Sequence, residues 1–286
     1  MQNSFSPAED ERKLRSIVAD VDAEVAKNDE QFRSLYNDPS CPGRPVPFFG
    51  RVPSACYLTV SPNPSADDLG APPVHSDLAQ HCLDYFHHAT VKPHHLFPAW
   101  ESGLGALSPC RLSYCTNLAH VDVSPRATRS LRAINKLTAV NRSDAATKLF
   151  LRMVGLDIKY LFRILAVVWP NLRGLFAAGT VTDDKYIDEI LCKYGPCSGF
   201  EFGRPHMLPP AARPGFKPAK LKRAHPKLYQ VLYQGQSKPL FFCPVGPSAD
   251  RPGRKEQFLA QFRDNADYLR PIFCSDVASL PGNSTD

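Results

Sequence analysis

The sequence predicts an α/β protein of three α/β/α layers, in which helices cover both faces of a central four-stranded parallel sheet. Short apolar runs alternate with segments of helical periodicity, a pattern typical of parallel strands joined by crossover helices. The chain has 286 residues and is 43% hydrophobic, which is enough for a sizeable core. The four runs predicted to be strands are residues 55–60, 112–118, 172–177 and 239–244.

A charged amphipathic helix is expected before the sheet. The residues Ser6-Pro7-Ala8-Glu9 resemble a capping box with proline in the first turn, and apolar residues at helical spacing follow. We therefore assign residues 1–49 to an N-terminal helix with an irregular lead-in. Further helices are predicted at 145–168, 183–194 and 254–269. The α/β domain is assigned to 50–272 and a flexible tail to 273–286.

Neither a membrane span nor a signal peptide is expected. The longest apolar stretch, residues 150–168, contains four charged side chains, whereas a spanning helix needs about 20 largely apolar residues. The first residues, MQNSFSPAEDERK, lack the apolar core of a signal peptide. We therefore expect a cytoplasmic monomer that does not associate with a membrane.

Histidine and cysteine spacing does not favour a metal site. Six of the nine histidines lie between residues 75 and 95, but adjacent histidines cannot readily turn to one ion. No carboxylate or cysteine stands at helical spacing with them. The cysteine pairs 110/115 and 192/197 are spaced more widely than in the usual CxxC sites. We expect neither a metal nor a cofactor.

The segments that follow the predicted strands are the candidate binding site, because ligands of parallel α/β sheets bind at the carboxyl ends of the strands. Residues 61–65 read SPNPS, and Pro62 and Pro64 restrict the backbone on both sides of Asn63. An ordinary βα turn is the alternative reading. Residues 116–125, TNLAHVDVSP, form the corner of the second predicted strand and carry Thr116-Asn117 at the strand end, and PVGPSADRP, residues 244–252, lies at the end of the fourth.

These corners resemble motifs of the uracil-DNA glycosylase superfamily. Its members have a four-stranded parallel sheet with a GxNPG or GxDPxH motif after the first strand and an HPSP or NPSG motif after the last. Here residues 61–65 are similar to the first motif and residues 246–249 (GPSA) to the second. The resemblance covers about residues 50–270. It implies a DNA-repair hydrolase that flips uracil out of DNA and excises it without a cofactor.

The resemblance also implies roles for individual residues near the base. Asn63 would be catalytic, positioning water or stabilising charge at the sugar, because an amide is no general base. Asn117 would pair with the uracil edge and reject cytosine, whose donor and acceptor are reversed. His75 would stack on the base, with Tyr85 and Phe86 as the alternatives. Pro64 and Ser65 would line the pocket, where the small Ser65 leaves room for 5-substituted uracils.

DNA contacts are expected from two regions. The resemblance implies that Gly246, Pro247 and Ser248 contact phosphates, with Arg251 or Arg254 near the gap left by the flipped nucleotide. Residues 203–238 contain eight basic and no acidic residues, which favours an insertion that lies along the polyanion. A solvated basic loop is the alternative. The candidate contacts in this segment are Lys220, Lys222 and Arg223.

One departure from the family bears on activity. Gly246 stands where the second motif has its catalytic histidine, so that help must come from His120, from His206 or from backbone amides, or be absent. Two alternatives follow. One is a non-catalytic DNA-binding protein on the same fold, and the other is an unrelated α/β hydrolase or nucleotide-binding protein.

Overall fold

The computed structural model describes residues 7–35, 45–62, 77–87, 96–107, 112–126, 144–182, 185–210, 225–247 and 253–274. This part of the chain contains seven α-helices. They are α1 (Pro7–Phe32), α2 (Leu78–Asp84), α3 (Leu96–Leu104), α4 (Asp144–Val168), α5 (Ile187–Tyr194), α6 (Arg254–Asp264) and α7 (Ala266–Phe273). None of these helices is long and apolar enough to cross a membrane.

The same residues form ten strands. They are β1 (Phe48–Phe49), β2 (Tyr57–Ser61), β3 (Leu118–Asp122), β4 (Gly174–Ala178), β5 (Thr180–Thr182), β6 (Lys185–Tyr186), β7 (Glu201–Phe202), β8 (His206–Met207), β9 (Lys227–Tyr233) and β10 (Gln236–Cys243). Eight of them build a mixed sheet in the order β1-β3-β2-β4-β10-β9-β7, with β8 also paired to β9.

The centre of the sheet is parallel and its margins are antiparallel. Strand β2 pairs in parallel with both β3 and β4, and β4 pairs in parallel with β10. Strand β1 is antiparallel to β3, and β9 is antiparallel to β10. Every residue of β2, β3 and β4 is buried, as expected for strands covered on both faces.

Helices pack on both faces of the sheet. Phe262 of α6 lies against Phe176 and Phe241 of neighbouring strands, with ring centroids 6.3 and 5.2 Å apart. Phe242 points to the opposite face, because successive side chains of a strand alternate. There it contacts Tyr186, which precedes α5, at 5.8 Å. The predicted α/β class is therefore confirmed.

Several predicted elements differ from the structure. The sheet has eight strands instead of four. The predicted strand 112–118 is wrong: residues 114–117 form a turn, and the strand begins at Leu118. Leu112 and Tyr114 are buried, which produced the misleading apolar pattern. The predicted helix 254–269 is interrupted at Asn265. Residues 227–233 and 236–238 of the basic segment, expected to be an insertion, belong to strands β9 and β10 of the sheet.

The long helices agree with expectation. The predicted N-terminal helix corresponds to α1, and the predicted helix 145–168 corresponds to α4, whose ends differ by one residue at most. In both, apolar residues recur at helical spacing and bury one side of the helix. The two helices pack against each other, and Lys159 of α4 binds Glu24 of α1 at 2.6 Å.

Candidate functional site

We call residues 61–65 the first corner and residues 244–252 the second corner. Both begin where a parallel strand ends, on the same side of the sheet, which we call its carboxyl edge. Strand β2 ends at Ser61 and β10 ends at Cys243, and both run parallel to β4, which lies between them. Adjacent strands are about 4.8 Å apart, so the two strand ends lie about 10 Å apart. The structure therefore brings Pro62, at the start of the first corner, near residues 244–247 of the second.

The corner after β4 closes the space beside the second corner. Gly179 has a φ of +98°, and a β-carbon on it would lie 3.6 Å from the Cα of Gly246. The Gly179 amide donates to the carbonyl of Cys243 at 2.9 Å. This contact distance is ordinary, so it is the left-handed backbone conformation of Gly179 that favours glycine. Gly246, which stands where the similar motif has histidine, is half-buried and lies beside Gly179.

Four of the predicted site residues are described. Gly246 is half-buried, Pro247 is buried, and Arg254 is exposed at the first position of α6. Asn117 is half-buried in the turn before β3. The remaining candidates lie outside the described residues: Asn63, Pro64, Ser65, His75, Lys220, Lys222, Arg223, Ser248 and Arg251.

Asn117 lies at the opposite edge of the sheet, so the prediction that it follows the second strand is wrong. Its side-chain oxygen accepts a hydrogen bond from the Ser113 amide at 3.0 Å. Its carbonyl accepts from the amides of Cys56 and Tyr57, where β2 begins. The five residues of β3 separate it from the carboxyl edge by about 15 Å. Asn117 stabilises a turn at the amino end of β3, whereas Ser61 lies at the carboxyl end of the neighbouring strand β2.

Asp122, and not Asn117, lies at the carboxyl end of β3. It terminates a buried chain of polar contacts that starts at the hydroxyl of Tyr114, which lies 2.6 Å from Oγ1 of Thr59. Thr59 Oγ1 lies 2.6 Å from Nδ1 of His120, and His120 Nε2 lies 3.3 Å from Oδ1 of Asp122. Burial raises the pKa of Tyr114 well above its ordinary value, so its hydroxyl keeps its proton.

Asp122 and Ser61 each retain an unmet polar atom. They are register partners on adjacent parallel strands, so both side chains lie on one face of the sheet. Ser61 Oγ and Asp122 Oδ2 are buried and have no hydrogen-bond partner among the residues that the structure describes. Buried polar atoms are seldom left in this state. The pair is therefore the strongest candidate for ligand contact at this edge.

A buried ion pair holds the corner after β3. Ser124 donates to Asp157 of α4 at 2.6 Å, and Arg126 donates to both oxygens of the same carboxylate at 2.9 and 3.2 Å. The amide of Ser124 also donates to the carbonyl of Pro62 at 3.0 Å. The beginnings of the β2 and β3 corners are thus fastened to each other and to α4.

Neither histidine proposed to replace the missing one is placed at the second corner. His120 lies inside β3, three strand spacings or about 14 Å from β10, and is engaged by Thr59 and Asp122. His206 lies in β8 and stacks on Tyr268 of α7, with ring centroids 5.3 Å apart. Within the described ranges of the chain, no group of three or more histidine, cysteine, aspartate or glutamate side chains could hold a metal ion.

Sequence reasoning missed Asp122, although a signal was present. Thr59 and Ser61 in one run, and His120 and Asp122 in another, are polar residues at every second position of otherwise apolar segments. Such alternation indicates one polar stripe on a buried strand face.

No family model, no curated protein and no solved structure matches this chain.

Proposed function

We propose that this chain is a DNA glycosylase, which hydrolyses the N-glycosidic bond of a base flipped out of DNA. The observation that supports the proposal is that β2 and β10, each followed by a proline corner, both run parallel to β4 and end on the same side of the mixed sheet. The first corner continues from Ser61, the last residue of β2, into Pro62, and the second begins at Pro244, directly after β10. Asn63 follows Pro62 directly.

The proposed chemistry is dissociative. An amide has no accessible protonation equilibrium, so Asn63 positions water or stabilises positive charge at the sugar rather than acting as a base. The bond between sugar and base breaks first, and water then adds to the oxocarbenium-like sugar. Preorganised donors hold the departing base anion. With Gly246 in place of histidine, backbone amides of the second corner are the candidates for that role.

The identity of the base is taken from the family resemblance. Uracil, with tolerance for 5-substituted uracils through Ser65, is the base implied by the family resemblance. The residue meant to read the uracil edge, Asn117, lies at the other edge of the sheet. The base must therefore be selected by groups at the carboxyl edge.

DNA binding is proposed for the exposed start of α6 and for the basic segment. Arg254 is exposed at the first position of α6, where the positive end of the helix dipole favours an anion. Arg204 is also exposed, whereas Lys227 lies 2.6 Å from the buried carboxylate of Asp188. Lys227 is thus part of a buried ion pair, and the phosphate contacts fall to the other basic residues.

A second function is supported by one observation. Gly246 stands where the second motif has histidine, and neither His120 nor His206 lies at that corner to replace it. A non-catalytic DNA-binding protein on this fold has no need of that group. It would bind the same DNA through the same basic segment without breaking a bond. Tight binding of a free nucleotide would instead favour an unrelated nucleotide-binding protein.

The test is cleavage of an oligonucleotide with a single uracil, in single- and double-stranded form, with alkali to reveal abasic sites. Wild type, Asn63→Ala and the matched control Asn117→Ala are compared. Excision that disappears in Asn63→Ala and persists in Asn117→Ala is the expected result. Tight DNA binding without excision would favour the second function. A protein that neither binds this DNA nor excises uracil would overturn the DNA-binding function and the uracil specificity that the family resemblance implies.

A further inference from the structure

The unmet atoms of Ser61 and Asp122 indicate which chemical group the site binds. Both residues are almost fully buried, with 1% and 3% of their surface exposed. They end adjacent parallel strands, and Ser61 precedes the proposed catalytic Asn63 by two residues. We propose that Ser61 and Asp122 bind the exocyclic amino group of the flipped base, so that the ligand class is an amino-substituted base of the cytosine or adenine type.

The donor and acceptor inventory of the two side chains leads to this class. A carboxylate oxygen accepts hydrogen bonds and donates none, and a serine hydroxyl can accept. An amino group carries two hydrogens, one for Asp122 Oδ2 and one for Ser61 Oγ. The 4-oxo group of uracil is itself an acceptor, so it would face the carboxylate without a proton between them. A buried unmatched acceptor weakens binding strongly.

The contacts of Asp122 determine which of its two carboxylate oxygens is left for a ligand. We assign one proton to each contact: the Tyr114 hydroxyl then donates to Thr59, the Thr59 hydroxyl donates to Nδ1 of His120 in preference to the more distant Ala119 carbonyl at 3.3 Å, and Nε2–H of His120 donates to Oδ1 of Asp122. The His120 ring is enclosed by Phe49 and Phe97, at centroid distances of 5.9 and 5.4 Å. Oδ1 is therefore engaged, and Oδ2 is the oxygen left for a ligand.

The same arrangement makes Asp122→Asn an informative variant. The amide oxygen of the new side chain can still accept from Nε2–H of His120, which places its NH2 group where Oδ2 was. The site then presents a donor in place of an acceptor. We expect this change to invert the preference, from amino-substituted bases to their oxo counterparts.

The proposal rests on the proposed glycosylase activity, and its test separates the two. Excision is measured for two matched pairs of bases in DNA, cytosine with uracil and adenine with hypoxanthine, each of which differs by an amino-to-oxo exchange. Wild type is expected to favour the amino member by about tenfold to 100-fold, and Asp122→Asn to favour the oxo member. Ser61→Ala should reduce the wild-type preference by about tenfold or less.

Asp267→Asn is the matched control, because the Asp267 side chain is 99% exposed and the charge change is the same. It should leave both ratios unchanged, and thermal melting verifies that each variant folds. A wild type that prefers uracil to cytosine, with a ratio that Asp122→Asn does not move, would overturn the inference. In that case a trapped water satisfies the two atoms, and the glycosylase assignment still stands.

If no base is released, the glycosylase assignment fails and the inference is judged by binding. Cytidine, uridine, adenosine and inosine are then titrated into wild type and Asp122→Asn by calorimetry. Preferential binding of cytidine or adenosine that Asp122→Asn reverses would support the amino-group site. Equal affinity for all four, or binding of none, would overturn it.

Discussion

Gly179 and Gly246 meet backbone to backbone at the ends of β4 and β10, where a β-carbon on Gly179 would lie 3.6 Å from the Cα of its neighbour. Gly179 adopts a φ of +98°, and Gly246 does not have a positive φ. The two glycines therefore differ in what they require. Gly179 is needed for its backbone conformation, whereas Gly246 is needed only if its missing side chain matters for function.

This difference predicts unequal effects of alanine. Gly179→Ala should lower the free energy of unfolding by about 1–2 kcal/mol, because an L side chain is strained in the left-handed region. Gly246→Ala should change it by about 0.5 kcal/mol or less, since its β-carbon would meet neighbours at ordinary contact distance. Urea denaturation measures both. Equal losses would mean that space, not backbone conformation, limits this corner.

The buried ion pair between Arg126 and Asp157 should be essential for stability. Asp157→Asn leaves the guanidinium short of a countercharge in a buried setting, and we expect a loss of about 3–5 kcal/mol in unfolding free energy. Asp20→Asn is the control, because Asp20 of α1 pairs with Arg163 of α4 at 2.6 Å but in solvent. That control should cost about 0–1 kcal/mol. Similar losses in both variants would contradict the burial of the pair.

Thr59→Val should break the polar chain that ends at Asp122. Valine has nearly the same shape but leaves the Tyr114 hydroxyl and His120 Nδ1 without their shared partner. We expect a loss of about 1–3 kcal/mol and a weaker discrimination between amino and oxo bases. Thr116→Val, at an exposed turn position, is the control. Unchanged discrimination in a folded Thr59→Val protein would show that the chain does not orient Asp122.

The contact between α1 and α4 should be sensitive to acid. Partial burial acts to raise the pKa of Glu24, but hydrogen bonds from Lys159 and Tyr160 outweigh it and leave that pKa below its ordinary value of 4.5. A carboxylate whose pKa is lower in the folded state stabilises the fold above its unfolded pKa, and this stabilisation disappears as the pH falls through the folded pKa.

Glu24→Gln should therefore flatten the acid side of the stability profile below about pH 5. Urea denaturation between about pH 3 and 7 measures the profile. The control is Glu201→Gln, which removes the same formal charge from an exposed residue of β7. A wild-type profile identical to that of Glu24→Gln would show that the contact adds no stability.

The elements that could be predicted were those with a long local pattern. The helices α1 and α4 each show many turns of apolar spacing, so their positions follow from neighbouring residues alone. The second parallel strand was predicted several residues too early, because Leu112 and Tyr114 are buried by packing around a turn rather than by a sheet. A short apolar run cannot distinguish these two causes of burial.

The sequence by itself determined the α/β class, the principal helices and the proline corner after the first parallel strand, because periodicity and proline act over a few neighbouring residues. Only the tertiary structure decided which residues share an edge of the sheet. Strand pairing joins residues far apart in the chain, and its register placed Asp122 beside Ser61 and Asn117 at the opposite end. A strand boundary moved by four residues is enough to exchange one edge for the other.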